Sequence, residues 1–292
     1  MKKIMALAVA SAFAMPAMAV DVTISGEVET TYSSADGANT MSQGTQDIKV
    51  SFSDTLANGM EVSGYVLNDS ANGTITQDSA VTISGDFGSI QVGKDAGKGG
   101  DQFDDVSDVA SGGSGADAEI DDGVATSASV QYTPNLGMEG LTATIGYAAA
   151  STGTNTEVVG YGVKYATTGF SLAYGAMDSD NSTLKTATIA SATMSMGPVF
   201  IGVDSSSKIA GVDGDDSIAI GLTYTVGDIV FAYETMTTED ATNVDATDTV
   251  FDITYNVGAG LQVYVSADKN ETAGASAVTT VDSTIVGVEY KF

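Results

Sequence analysis

Hydrophobic residues along most of this chain recur with a period of two. Phe251-Asp252-Ile253-Thr254-Tyr255 alternates apolar and polar, as does Leu261-Gln262-Val263-Tyr264-Val265-Ser266. Ile218-Ala219-Ile220-Gly221-Leu222-Thr223-Tyr224 alternates large and small. Such spacing sends successive side chains to opposite faces of a strand, and it predicts an all-β chain. Helical spacing is absent beyond the first residues. The strands come in pairs, each pair joined by a short turn and followed by a longer polar segment. Short turns are expected at Leu56-Ala57-Asn58-Gly59, Gly85-Asp86-Phe87-Gly88, Pro134 to Gly140, Thr167-Thr168-Gly169, Met196-Gly197-Pro198, Val226-Gly227-Asp228 and Val257-Gly258-Ala259-Gly260. Gly and Asn there supply the positive φ that tight hairpins require. Pro134 and Pro198 fall in turns, where no ladder hydrogen bond is lost. Longer connections are expected over 33–46, 68–78, 95–124, 150–157, 177–183, 205–215, 236–248 and 268–281. This segmentation yields sixteen strands with turns at one end and loops at the other, the tenth near 184–195.

The polar register decides what kind of β protein this is. A sandwich or a small barrel must fill its inner face with apolar side chains. Here one register carries Thr142, Thr144, Gly146, Gly160, Gly162, Gly221 and Thr223, with Glu27 and Glu29 on the first strand. Those side chains suit a wide, wet interior, and the apolar register then faces lipid. Tyr132, Tyr147, Tyr165, Tyr174, Tyr224, Tyr233, Tyr255 and Tyr290 share that apolar register near strand ends. A ring with a polar tip reaches the membrane interface there, forming an aromatic girdle. The expected fold is a sixteen-stranded antiparallel transmembrane β-barrel with short periplasmic turns and longer extracellular loops.

The ends and the composition sharpen this picture. Lys2 and Lys3, an apolar run from Ile4 to Met15, and Ala17-Met18-Ala19 after Pro16 read as a signal peptide over 1–19. The barrel domain is then expected over 20–292. The run is shorter than the roughly 20 residues a membrane-spanning helix needs. The chain has 38 acidic against 10 basic residues, a formal charge of −28, and neither cysteine nor histidine. Basic patches for nucleic acid are missing, so no nucleic-acid partner is expected. Without His or Cys, neither a Ser-His-Asp arrangement nor the usual zinc ligands can be assembled, and an enzyme is not expected. No cofactor is expected.

The acids concentrate in the third long connection, 95–124, with Asp95, Asp101, Asp104, Asp105, Asp108, Asp117, Glu119, Asp121 and Asp122. A connection beyond about 12–15 residues is usually functional or disordered. One reading makes these carboxylates the lining of a pore constriction; another makes them a solvated outward loop. Calcium is a third reading, since Asp101, Asp104, Asp105 and Asp108 offer hard oxygen ligands. Their spacing does not match an EF-hand loop.

Several segments resemble the sixteen-stranded general diffusion porins of Gram-negative bacteria. They are Val22-Thr23-Ile24-Ser25-Gly26, Ser84 to Lys94, Val130-Gln131-Tyr132-Thr133-Pro134-Asn135 and the terminal Val288-Glu289-Tyr290-Lys291-Phe292. The resemblance implies a homotrimer in the outer membrane, passing small hydrophilic solutes, with the third loop folded inward. It also implies that Tyr290 and Phe292 are read by the barrel-assembly machinery. Porins of this type carry a row of arginines opposite the acidic loop, whereas this chain has no arginine. Gln91 and Gln131 stand at the matching wall positions, and Lys49 and Lys164 are the lumen-facing cations that the alternation offers. Acidic rings favour cations, so a cation-preferring pore is expected. A substrate-specific channel and a structural or adhesive barrel with an occluded lumen remain open beside it.

Overall fold

The computed structural model describes residues 20–35, 37–71, 74–94, 126–150, 157–180, 185–208, 216–239, 245–273 and 278–292. The segment expected to be a signal peptide, 1–19, lies outside them. The chain forms sixteen strands. They are β1 (Asp21–Ala35), β2 (Ala38–Thr55), β3 (Glu61–Ala71), β4 (Thr74–Gly85), β5 (Gly88–Lys94), β6 (Thr126–Pro134), β7 (Leu141–Ala150) and β8 (Val158–Ala166). There follow β9 (Phe170–Ser179), β10 (Ala187–Met196), β11 (Val199–Ser207), β12 (Asp216–Val226), β13 (Ile229–Glu239), β14 (Asp245–Gly258), β15 (Leu261–Ala273) and β16 (Val278–Lys291). Each pairs antiparallel with its neighbours in sequence, and β1 pairs with β16, closing the barrel. The expected fold class is the observed one.

Alternation determines which side chains meet which solvent. On β12, Ile218, Ile220, Leu222 and Tyr224 are exposed on the outside, while Ser217, Ala219, Gly221 and Thr223 point inward. All eight tyrosines expected in the girdle lie on the exposed outer face, and Tyr161 joins them. On β9 and β10 the outer pairs are Phe170 with Met194 and Leu172 with Ala192, and the inner ones Ser171 with Thr193 and Ala173 with Ser191. Outward apolar and inward polar positions are the reverse of a soluble barrel's.

The short turns fall where the sequence predicts them. Gly59, Gly88, Gly140, Gly197, Gly227 and Gly260 adopt positive φ in or beside them. Gly140 has a second reason to lack a side chain, because an added Cβ would sit 2.2 Å from the carbonyl oxygen of Ala166. The long connections need correction. Much of 33–46, 68–78, 236–248 and 268–281 is strand: β1 reaches Ala35, β2 restarts at Ala38, and β13 reaches Glu239. A bilayer requires only about 9–11 tilted residues per strand, yet the ladders continue above that height. Threonine carries them there: Thr235 pairs with Thr249 and Thr237 with Thr247 through hydroxyl contacts of 3.2 and 3.3 Å. Polar composition suggested loop, whereas β-branched Thr on paired strands extends the hairpin.

If the outer face meets hydrocarbon, Leu222→Arg will destabilise the barrel by about 2–4 kcal/mol. Thr223→Arg, one residue along and inward, will cost less than about 1 kcal/mol. Urea unfolding from lipid vesicles compares the two.

Candidate functional site: the barrel lumen

Cross-strand pairing fixes the inner face without ambiguity, because paired residues share a side of the sheet. Glu27 pairs with Asp47 and Lys291, Glu29 with Glu289, and Lys49 with Ser25 and Leu67. Gln91 faces Gln131 directly across β5 and β6, and Lys164 pairs with Thr142 and Ala173. Every residue named from the sequence as pore wall therefore lies on the lumen side. The loop acids Asp95, Asp101, Asp104, Asp105, Asp108, Asp117, Glu119, Asp121 and Asp122 lie outside the described residues. Tyr290 is on the outer face, its ring stacked 6.0 Å from that of Phe292. The main chain of Phe292 exchanges hydrogen bonds of 2.9 and 3.0 Å with Gly26, so the terminal residue is sewn to the first strand.

The alternation also carries inward acids that were not singled out from the sequence. Asp204 on β11, Glu234 on β13, Asp248 and Asp252 on β14, Asp268 on β15 and Glu289 on β16 all face the lumen. With Glu27, Glu29 and Asp47 they form an arc in which every strand from β13 round to β2 contributes a carboxylate. The opposite arc, β5 to β10, turns in Gln91, Gln131, Thr144, Gly146, Gly160, Gly162, Ser171, Gly175 and Ser191. Among the described residues it presents no carboxylate. Parity alone marks these acids: Asp252 and Glu234 sit in plainly alternating stretches.

The acidic arc is held by hydrogen bonds and ion pairs along the wall. Asp204 and Glu234 are fully buried, and Asp252 is 1% exposed. Thr254 donates to Oδ1 of Asp252 at 2.6 Å, and Ser266 donates to Oδ2 at 2.9 Å. Gln262 donates its amide N–H to Glu289. Lys291 pairs with Glu289 and, at 3.6 Å, with Glu27. Lys49 lies over the ring of Tyr65, 4.4 Å from its centroid, a cation–π contact. Thus two of the inward lysines are engaged by their neighbours, and carboxylates outnumber cations on this wall. No group of three or more acidic side chains among the described residues is arranged to hold a metal ion.

A closed barrel with apolar residues outside and a charged, hydroxyl-rich interior is a membrane channel of the outer-membrane type. The chain belongs to the Gram-negative porin family, whose sequence profile matches residues 6–275, and its place is the outer membrane of a Gram-negative bacterium. No curated protein sequence matches it. Among solved structures it is similar to a loop-deletion mutant of OmpT, an outer membrane protein of Vibrio cholerae. The TM-score is 0.72 at 16% identity, over 94% of this chain and 100% of that one. A mutant porin of Rh. blastica gives 0.70 at 13% identity, covering 93% and 100%. An anion-selective porin from Comamonas acidovorans gives 0.67 at 17%, covering 94% and 100%. OmpT folded in vitro, in its trimer form, gives 0.69 at 15%, covering 94% and 100%.

The Asp252 cluster makes its own prediction. Asp252→Ala removes the acceptor of two buried hydroxyls and will lower stability by about 1–3 kcal/mol. Asp252→Asn, which keeps one acceptor oxygen, will lower it by less. Chemical unfolding midpoints of the two variants decide.

Proposed function

We propose that this porin conducts small hydrophilic solutes and ions by passive diffusion, without chemistry, and prefers cations. The observation that carries the preference is the carboxylate arc from β13 to β2 on the lumen wall, facing an arc of Gly, Ser, Thr and Gln. At 0.15 M salt charges are felt over about 8 Å. Two unit charges 4 Å apart in a water-like medium interact by about 1 kcal/mol. Several carboxylates along one path therefore raise local cation concentration severalfold. The selectivity of the Comamonas porin does not transfer, since a likeness at 17% identity extends to the fold alone.

The proposal has further parts. The acids of 95–124 line a constriction inside the barrel. An apolar inward group at the loop end of β7–β10 supports this part. Ala148, Val158, Met177, Ala187 and Ile189 face a polar lumen yet are buried. The protein acts as a homotrimer, as the trimer form of OmpT suggests. The barrel-assembly machinery reads the C-terminal strand ending in Tyr290 and Phe292; the exposed, stacked pair of rings on the outer face supports that reading.

Planar-bilayer recordings of the refolded protein test the central claim. A tenfold KCl gradient should give a reversal potential of the sign for K⁺ permeation. The triple variant Glu27→Gln, Asp47→Asn, Asp268→Asn, at part-exposed carboxylates of the arc, should reduce the K⁺/Cl⁻ permeability ratio by about twofold or more. Deletion of 95–124 should raise unitary conductance. A reversal potential of the opposite sign refutes the cation preference, and an absence of conductance steps favours an occluded structural barrel.

A further inference from the structure

We propose that Tyr264 and Glu29, seated by Gly287 and Gly44, form a latch that holds the barrel closed across the junction of its first and last strands. Tyr264 projects inward from β15 and is 1% exposed. Its neighbour on β16 is Gly287, and a Cβ there would lie 2.0 Å from the Tyr264 Cζ and 2.3 Å from its hydroxyl oxygen. The ring therefore lies flat across the main chain of β16, in the space a side chain would fill. From there its hydroxyl donates to Oε1 of Glu29 on β1. A single side chain thus bridges three strands and spans the β1–β16 junction.

The far side of the carboxylate is held with equal specificity. Between Val28 and Thr30 the β1–β2 register shifts, so that Gly44 and Thr45 together oppose Glu29. Such a bulge leaves an N–H without a ladder partner. The Thr45 N–H donates to Oε2 of Glu29 at 3.2 Å. A Cβ on Gly44 would lie 1.7 Å from that same oxygen. Two glycines, far apart in sequence, clear the space along one polar line from β15 to β2.

The junction is where the first and last strands meet, and opening the barrel there separates β16 from β1. Tyr264 stays with β15 and Glu29 with β1, so that opening must break their bond. The hydroxyl–carboxylate bond from Ser266 to Asp252 has the same chemistry but joins β15 to β14, away from the junction.

The experiment measures unfolding rates of the full-length protein from lipid vesicles in urea, followed by gel mobility of unheated samples. Tyr264→Phe keeps the ring and loses the donor, and will accelerate unfolding about tenfold or more. Glu29→Ala loses that bond and the acceptor of the Thr45 N–H, and will accelerate unfolding at least as much. The double variant will match Glu29→Ala within about twofold, because the Tyr264–Glu29 bond is already lost in each single variant. Ser266→Ala will change the rate by less than about threefold. Gly287→Ala, which evicts the ring, will resemble Tyr264→Phe; should it fail to fold, the cycle between Tyr264 and Glu29 stands alone. An unchanged rate in Tyr264→Phe, single effects that multiply in the double variant, or an equal acceleration by Ser266→Ala overturns the latch.

Discussion

The structure depends on one constraint: inside a bilayer, main-chain N–H and C=O groups find no water. An open sheet would leave two rows of such groups facing hydrocarbon, at a cost of several kcal/mol for each one unsatisfied. Closure of β1 onto β16 removes both edges, and the remaining architecture follows from it. A closed sheet has an inside and an outside, and a period of two assigns alternate residues to each. Once Leu222 and Tyr224 are committed to lipid, Gly221 and Thr223 must face inward. The lumen's chemistry is thus written into every second residue.

That rule explains how much could be read beforehand. Strand number, the outward tyrosines and the inward orientation of Glu27, Glu29, Lys49, Gln91, Gln131 and Lys164 follow from alternation, which is local. The extent of the hairpins does not. Segments such as 236–248 are polar on both faces, and composition cannot separate a loop from a ladder bathed on both sides by water. Thr235 and Thr249 reveal the ladder only when their hydroxyls are found in contact. The acids Asp204, Glu234 and Asp268 were legible by parity. The partners that hold Asp252 and Glu289 were less so, because they depend on register between strands. Tyr264 shows the limit: it occupies the polar register, and nothing near it in sequence accounts for a large ring there. The reason is Gly287, on the next strand, and Glu29, on the strand beyond.

The shared barrel leaves the charge of the lumen wall to be set by each sequence. The Comamonas porin, described as anion-selective, shares the barrel over nearly the whole of both chains at 17% identity. A common backbone with so few common side chains leaves the lumen free to differ in charge. In this chain the wall from β13 to β2 is acidic, Lys291 is taken up by Glu27 and Glu289, and Lys49 rests on Tyr65. The outside has far less freedom, since it must match hydrocarbon and its interfaces.

Closure makes its own energetic demand, which local strand pairing does not meet. Tyr264 and Glu29 stand 235 residues apart in sequence. Bringing distant segments together costs entropy that grows only slowly with length, about (3/2)RT ln n, but it must be met before the final ladder rewards it. The hairpins from β1 to β16 can each form locally; the β1–β16 junction cannot. A charge-assisted bond reaching over β16 adds stabilisation at the junction whose formation is entropically dearest and whose loss would expose two edges to lipid. Side-chain bonds such as Ser266 to Asp252 reinforce ladders that neighbouring hairpins already secure. This difference in what each bond closes, rather than any difference in bond chemistry, gives the junction its special standing in the barrel.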